Sequence, residues 1–302
     1  MKTFVVIVTC LLVPIALVAQ TNSAKPDRSP MIVSTLWLAA HLADPSIIVV
    51  HVASNRNEYK NGHIPGARFL WSQALSNTNP DLTLELPPLT QADTVLKNLG
   101  VSDRATIVLY FAGSNVSPTT RVYLTLEHLG LGDHVSFLDG GLEAWKAEGR
   151  PISKEQVSTA PSVYAIQTKQ VTVDWEWVKN SLDDPKVSIV DARAPQFYAG
   201  NGGGMPRPGH LPNASNIPFS SLVDSTNKFK DVETLKKMFA DAGVKPGNTV
   251  VSYCHIGQQA SLVYFVAKYL GYDARVYDGS FEEWSGRTDL PVVNPVAATP
   301  KK

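Results

Sequence analysis

The chain has 302 residues, which is long enough for two ordinary domains with cores of their own. Its 27 lysine and arginine residues balance 27 aspartate and glutamate residues, and no long run of one sign occurs. This balance argues against a nucleic-acid scaffold or a polybasic membrane binder, so we expect no nucleic-acid partner.

The first 24 residues have the form of a secretory signal peptide. Lys2 supplies a positive start, residues 3–19 form an apolar run, and a small, polar stretch follows. The alternative is an uncleaved anchor, because this run approaches the shortest length that spans a membrane. We expect residues 1–24 to be removed, leaving a periplasmic or secreted chain without a stable membrane span, because no later stretch is long and apolar enough.

Two halves of the chain then repeat the same patterns in the same order. Ser34 and Asp174 are helix-capping residue types, and each precedes a tryptophan by three positions. Asp-Pro turns at 44–45 and 184–185 lead into β-branched strands. Longer fragments also correspond, namely "NGHIPGARFL" (61–70) with "RPGHLPNASNIPF" (207–219) and "VSFLDGGLEAW" (135–145) with "ARVYDGSFEEW" (274–284).

Short apolar strands alternate with amphipathic helical patterns in both halves. This alternation predicts an α/β fold in which each domain is a mainly parallel sheet flanked by helices. We place the domains at residues 31–150 and 171–296. The polar stretch 151–170 has no firm periodicity and is predicted to be a linker.

A single cysteine, Cys254, remains if the segment that holds Cys10 is removed. It stands between the strand pattern "NTVVSY" and the helix pattern "ASLVYFVAKYL". Free N–H groups and the dipole at a helix N-terminus favour negative charge, so this position predicts a thiol of lowered pKa and a nucleophilic thiolate. Gly257 allows the loop to curl around the sulfur. A buried cysteine that serves only packing remains the alternative.

These landmarks, with "IVDAR" (189–193) and "VVSYCHIGQQAS" (250–261), resemble the tandem-domain rhodanese family, the thiosulfate or 3-mercaptopyruvate sulfurtransferases. The resemblance implies a catalytic second domain and a silent first domain, in which Phe111 stands opposite Cys254. It implies a Cys254 persulfide that takes sulfur from a small donor and gives it to cyanide or a small thiol, without cofactor or metal. The resemblance assigns the loop that holds the persulfide to His255, Ile256, Gly257, Gln258 and Gln259.

The loop departs from the pattern of family members specialised for thiosulfate. Their two basic loop residues are replaced by His255 and Ile256, and Phe197 stands where an arginine usually binds the donor anion. Arg193 and Arg207 are the candidate replacements, and Asp191 matches a position that supports the loop. We therefore expect weak binding of thiosulfate that improves as the pH falls and His255 becomes charged.

Two other functions compete with sulfur transfer. A secreted sulfur carrier or binding module would use Cys254 only as a docking point. A cysteine-loop phosphatase would need an arginine that closes the loop on phosphoryl oxygens, and Gln259 stands at the sixth place of the loop instead, counting Cys254 as the first.

The first half also differs from the second in the length of one loop. Its segment "AGSNVSPTT" is expected to be about two residues longer, before the following helix, than the loop that follows Cys254.

Overall fold

The computed structural model describes Met1 and residues 30–202 and 204–296. Residues 2–24 of the predicted signal peptide lie outside the described residues. In the part of the chain that the structure describes, no helix is long and apolar enough to cross a membrane.

Strands and helices alternate along both halves, and two short 3₁₀ helices at Gly132–His134 and Phe219–Leu222 accompany them. The first domain contains β1 (Ile32–Val33), α1 (Thr35–His41), β2 (Ile47–Ala53), α2 (Arg56–Asn61), β3 (Arg68–Trp71), α3 (Leu89–Asn98), β4 (Thr106–Phe111), α4 (Ser117–His128), β5 (Val135–Leu138) and α5 (Gly141–Ala147). The second domain contains β6 (Thr172–Val173), α6 (Trp175–Asn180), β7 (Val187–Asp191), α7 (Pro195–Tyr198), β8 (Ser215–Asn216), α8 (Val232–Asp241), β9 (Thr249–Tyr253), α9 (Ala260–Tyr269), β10 (Asp273–Tyr277) and α10 (Ser280–Gly286).

Each domain is built on one five-stranded sheet. The strand orders are β1-β5-β4-β2-β3 and β6-β10-β9-β7-β8, and all neighbours in both sheets are parallel. The helices cover the faces of the sheets, which explains why the central strands read as apolar runs rather than alternating ones. The predicted α/β fold with two mainly parallel sheets is therefore confirmed.

The repeated capping residues begin equivalent helices in both domains. The side chain of Ser34 accepts a hydrogen bond from the Trp37 N–H at 3.1 Å, and that of Asp174 accepts one from the Trp177 N–H at 2.8 Å. In this way each side chain satisfies an N–H group that has no partner inside the helix. The two predicted caps are confirmed.

The turn before α4 differs from the sequence prediction. Helix α4 begins six residues after Phe111, and α9 begins six residues after Cys254, so the two loops have the same length. The segment "SPTT" looks like a turn in the sequence, yet it forms the first turn of α4. Proline is accepted there because its missing N–H would have no partner in the first helical turn anyway.

The two domains share a continuous apolar core, which lies between α4 and α9. The ring of Tyr123 on α4 meets the ring of Phe265 on α9 edge to face at 4.8 Å. Next to them, the buried hydroxyls of Thr120 and Ser261 lie 2.8 Å apart. Because both helices also follow the central strands of their sheets, this contact brings the equivalent loops of the two domains toward one interface.

No regular helix or strand lies between α5 and β6. This segment runs along the first domain, where the Ser153 carbonyl accepts from the His63 N–H at 2.9 Å and the Lys169 N–H donates to the His128 carbonyl at 2.7 Å. The boundaries at residues 31–150, 151–170 and 171–296 stay predictions.

Candidate active site

Cys254 lies directly after β9, the central strand of the second sheet. Its N–H donates to the Ser280 Oγ at 3.2 Å, and its carbonyl accepts from the Phe281 N–H at 3.0 Å. The side chain is fully buried, and the cysteine is not in a disulfide. In open parallel sheets, ligands bind at the carboxyl ends of the strands, so Cys254 occupies the usual place for chemistry in this architecture.

The loop after Cys254 forms a cradle of backbone N–H groups around the sulfur. Burial raises the pKa of the Cys254 thiol and outweighs the N–H groups of Ala260, Ile256, Gln259 and Gly257, which hydrogen-bond to the sulfur and act to lower the pKa. The sequence predicts a lowered pKa, and the direction is the opposite. The pattern shows the helix N-terminus but not the depth at which the sulfur is buried. The cradle is nonetheless suited to hold a negatively charged sulfur chain.

Gly257 gives the loop its tight curl. Its φ is +80°, a left-handed conformation that glycine adopts without strain. A Cβ at this position would lie 2.9 Å from the Asp278 Oδ1, 3.0 Å from the Asp278 carbonyl oxygen and 3.1 Å from the Arg121 Nη1. Both the backbone angle and the surroundings therefore call for glycine.

His255 is half-buried beside the loop, with its ring edge to face against Phe197 at 4.9 Å between centroids. Burial, together with the positive charge of Arg193, lowers the pKa of His255. The ring is therefore neutral near pH 7, so the structure does not support the predicted gain in thiosulfate transfer on acidification. The contact does place Phe197 next to the loop, where the family resemblance expects a donor-binding arginine.

Ile256, Gln258 and Gln259 complete the loop, and their side chains are half-buried. The Gln258 carbonyl accepts a hydrogen bond from the Ser261 Oγ at 2.6 Å, which ties the loop to the first turn of α9. The side chain of Gln259 lies beside His255, and a hydrogen bond between the two side chains acts to raise the pKa of His255 against the larger effect of burial.

Asp191 and Arg193 form a buried ion pair at the end of β7. The Arg193 Nη2 donates to the Asp191 Oδ2 at 2.5 Å and to the Gly209 carbonyl at 2.7 Å. The Tyr253 hydroxyl also donates to the Asp191 Oδ2, at 2.8 Å. This network fixes the end of β9 immediately before Cys254, which is a supporting role for Asp191. Arg193 is engaged in the same network, so it acts on the site through its charge.

Arg207 lies in a different environment from the one the sequence predicts. Its guanidinium donates to the carbonyls of Ser285, Leu290, Trp284 and Arg287. All three of its nitrogens are used in holding the end of α10 and the segment after it. The structure therefore assigns Arg207 to this segment rather than to a donor anion, because an arginine bound to carbonyl groups cannot turn to a substrate without losing those bonds.

The first domain has no counterpart of the ion pair between Asp191 and Arg193, since His51 and Ala53 stand at these positions. In β2, His51 pairs with Tyr110 in the register in which Asp191 pairs with Tyr253 in β7. The His51 Nδ1 lies 2.9 Å from the Tyr110 hydroxyl, and burial lowers the pKa of His51 to about 4, so this histidine is neutral. Phe111 is buried at the position that corresponds to Cys254.

Sequence reasoning misses one charged residue near the loop, Arg121. It lies on α4 of the first domain and is buried, and its guanidinium forms an ion pair with Asp278, which follows β10. The available signal is a lone arginine within the helix "SPTTRVYLTLEH", nearly all of which is buried. In the part of the chain that the structure describes, no group of three or more His, Cys, Asp or Glu side chains is placed to hold a metal ion.

Comparison with known proteins agrees with this arrangement. A family model described as "Rhodanese-like domain" matches residues 34–148 and 174–287. The "Sulfur carrier protein TtuD" of Thermus thermophilus is 30% identical over 283 residues, which cover 87% of this chain and 96% of that protein. The "Thiosulfate sulfurtransferase" of Azotobacter vinelandii is 29% identical over 265 residues, which cover 87% of this chain and 97% of that protein.

Solved structures also resemble the chain. One is described as the wild-type structure of EanB, with a TM-score of 0.78 and 22% identity, covering 88% of this chain and 69% of that one. Another is an anaerobic ergothioneine biosynthesis enzyme from Chlorobium limicola in complex with its natural substrate, trimethyl histidine, with a TM-score of 0.79 and 22% identity, covering 89% of this chain and 71% of that one. At this level of identity the likeness supports the fold alone.

Proposed function

The chain is a sulfurtransferase of the rhodanese family with two rhodanese-like domains in tandem, and we propose that Cys254 is its nucleophile and carries sulfur as a persulfide. The donor in this proposal is thiosulfate or 3-mercaptopyruvate, and the acceptor is cyanide or a small thiol. The observation that carries the proposal is the set of four backbone N–H groups that converge on the Cys254 sulfur. Such a cradle stabilises negative charge on a thiolate and on the outer sulfur of a persulfide.

In the first step the Cys254 thiolate attacks the outer sulfur of thiosulfate. A bond forms between the Cys254 Sγ and that outer sulfur, and the sulfur–sulfur bond of thiosulfate breaks. Sulfite leaves as a dianion with the bonding electron pair, and the persulfide anion that remains keeps the single negative charge of the attacking thiolate. With 3-mercaptopyruvate the carbon–sulfur bond breaks instead, and the enolate of pyruvate leaves and takes up a proton.

In the second step an acceptor removes the outer sulfur. Cyanide attacks this sulfur, a carbon–sulfur bond forms, the persulfide bond breaks, and thiocyanate leaves while the Cys254 thiolate is restored. No electrons are exchanged with an outside oxidant or reductant in either step. A covalent persulfide is sufficient as the sulfur carrier between the steps.

The proposal is tested by intact mass spectrometry before and after incubation with thiosulfate. We expect the protein to gain the mass of one sulfur atom and to lose it again when cyanide is added, with thiocyanate released. Cys254→Ser should gain no mass and should not turn over. A Cys254→Ser protein that still forms thiocyanate would contradict the assignment of the nucleophile.

The pH dependence of the first step follows from the raised pKa of the Cys254 thiol. Only the thiolate attacks, so kcat/KM for thiosulfate should rise with pH, by up to about tenfold per unit as long as the pH stays below the thiol pKa. His255→Ala should leave the shape of this profile unchanged over about pH 7–8, because a histidine whose pKa is lowered below its ordinary value is neutral there. A rate that increases on acidification, and loses that increase in His255→Ala, would show instead that a charged His255 assists binding.

A sulfur carrier is the second candidate function. One observation favours it, since a relative at 30% identity bears the name of a sulfur carrier protein. Steady-state turnover separates the two functions, because a carrier would form the persulfide but turn over with neither cyanide nor a small thiol. A cysteine-loop phosphatase gains no support, because the described loop contains no arginine and the half-buried Gln259 stands at its sixth place.

The proposal keeps a periplasmic or secreted location, which rests on the apolar residues 3–19 of the sequence. It also keeps the first domain as a copy without a nucleophile of its own, because Phe111 stands at the position of Cys254. Residues of this domain then serve the site only across the interface between the domains.

A further inference from the structure

Arg121 of the first domain reaches across the interface to the back of the cysteine loop. Its Nη1 pairs with the Asp278 Oδ1, and its Nη2 donates to the Leu84 carbonyl and, at 3.1 Å, to the Asp278 Oδ2. The same Nη1 would lie 3.1 Å from a Cβ on Gly257. The guanidinium therefore stands directly behind a residue whose N–H is hydrogen-bonded to the Cys254 sulfur.

Carboxyl groups outnumber Arg121 in this buried cluster. Asp278 is almost fully buried, and burial and the charge of Asp278 raise the pKa of Glu85 to about 7. The negative charges of Glu283 and Glu282 also act on Glu85. Arg121 pairs with Asp278 and acts to lower the pKa of Glu85, whereas Arg287 acts on Glu283.

The charges of Arg121 and Cys254 are linked. Burial alone lowers the pKa of Arg121, but Asp278, Glu85 and Cys254 together raise it above its ordinary value. Since the interaction between two charges is mutual, a guanidinium that is stabilised by a thiolate also stabilises that thiolate. Burial of both groups keeps water from screening the interaction.

We propose that Arg121 is a positioning residue of the second domain's active site, and that it offsets part of the negative charge of the carboxyl groups behind the loop, which Cys254 and an anionic sulfur donor would otherwise meet. The loop itself contains no lysine or arginine, so this offset comes from the silent domain. The inference rests on the proposed function of Cys254. It also gives the first domain a part in the chemistry that its own sequence lacks.

The test measures the rate at which iodoacetamide, a neutral reagent, alkylates Cys254 as a function of pH. Arg121→Met removes the buried cation that pairs with Asp278, so we expect the thiol pKa to rise by about one unit and alkylation near neutral pH to slow about tenfold. Asp278→Asn removes a negative charge and should shift the thiol pKa in the opposite direction. The double variant should return close to the wild-type profile.

Titratable and charged groups also lie on the other side of the loop, where Arg193 and Asp191 act on His255, and all three residues stay unchanged in these variants. The matched control is Lys268→Met, which breaks the ion pair between the Lys268 Nζ and the Glu127 Oε1 at 2.7 Å. This pair also joins α9 to α4, but it lies farther along the helices. Its loss should lower the thermal stability and leave the thiol pKa unchanged.

Two outcomes would overturn the inference. One is a thiol pKa that stays the same in Arg121→Met and Asp278→Asn, and the other is a shift in the same direction in both, which would indicate a distorted loop rather than a charge effect. If Arg121→Met does not fold, the direction of the shift in Asp278→Asn decides. Alkylation needs no sulfur donor, so this result stays separate from the failure of thiosulfate turnover that would contradict the proposed function.

Discussion

Gly257→Ala should reduce kcat/KM for thiosulfate by about a hundredfold, which is the cost of a misplacement of about 1 Å in a catalytic group. The added methyl group would lie 2.9 Å from the Asp278 Oδ1 and 3.0 Å from the Asp278 carbonyl oxygen. The side chain of Asp278 is held by Arg121, and its backbone directly follows β10, so neither atom moves easily. The loop must shift instead, and the N–H groups that hold the Cys254 sulfur shift with it.

Gly247→Ala is the matched control for this prediction. Gly247 has a φ of +83°, close to that of Gly257, but nothing lies within 4 Å of a Cβ placed there. Both variants therefore carry the same left-handed backbone strain of about 1–2 kcal/mol, and only one carries the collision. We expect Gly247→Ala to lose stability and keep its activity. Equal losses of activity in the two variants would mean that the loop geometry is not the cause.

The repeated architecture could be predicted from the sequence because its signals are local. Capping residues at Ser34 and Asp174 and the apolar runs of the central strands each depend on a few neighbouring residues. Parallel pairing then follows from the alternation of strands and helices. The position of Cys254 between a strand and a helix is a signal of the same kind, and the structure places it at the end of β9.

Properties that depend on burial and on contacts between the domains could not be predicted in this way. The direction of the Cys254 pKa depends on how deeply the sulfur is enclosed, and desolvation outweighs the four N–H groups. Arg207 looks like a free loop arginine in the sequence, although its partners are carbonyl groups about 80 positions away along the chain. Arg121 and Asp278 are 157 positions apart, and no local pattern joins them.

The contact between Phe197 and His255 bears on the choice of donor. An aromatic ring at 4.9 Å from the His255 ring offers no charge to a bound anion. Arg193 is close enough to lower the pKa of His255, but its guanidinium is bonded to Asp191 and Gly209. The described loop therefore presents N–H groups to the donor but no cationic side chain of its own, and thiosulfate should bind weakly to it.

Phe197→Arg should lower the Michaelis constant for thiosulfate by about tenfold, because one charge-assisted hydrogen bond to an anion contributes about 1.5–3 kcal/mol. The gain should be smaller for 3-mercaptopyruvate, which carries one negative charge where thiosulfate carries two. Gln196→Arg is the matched control, since it adds the same charge at the exposed neighbouring position, where solvent screens it. If both variants improve thiosulfate binding equally, general attraction of the anion is responsible. If neither does, the replacement of arginine by Phe197 does not govern the choice of donor, and the N–H cradle around Cys254 alone accounts for binding.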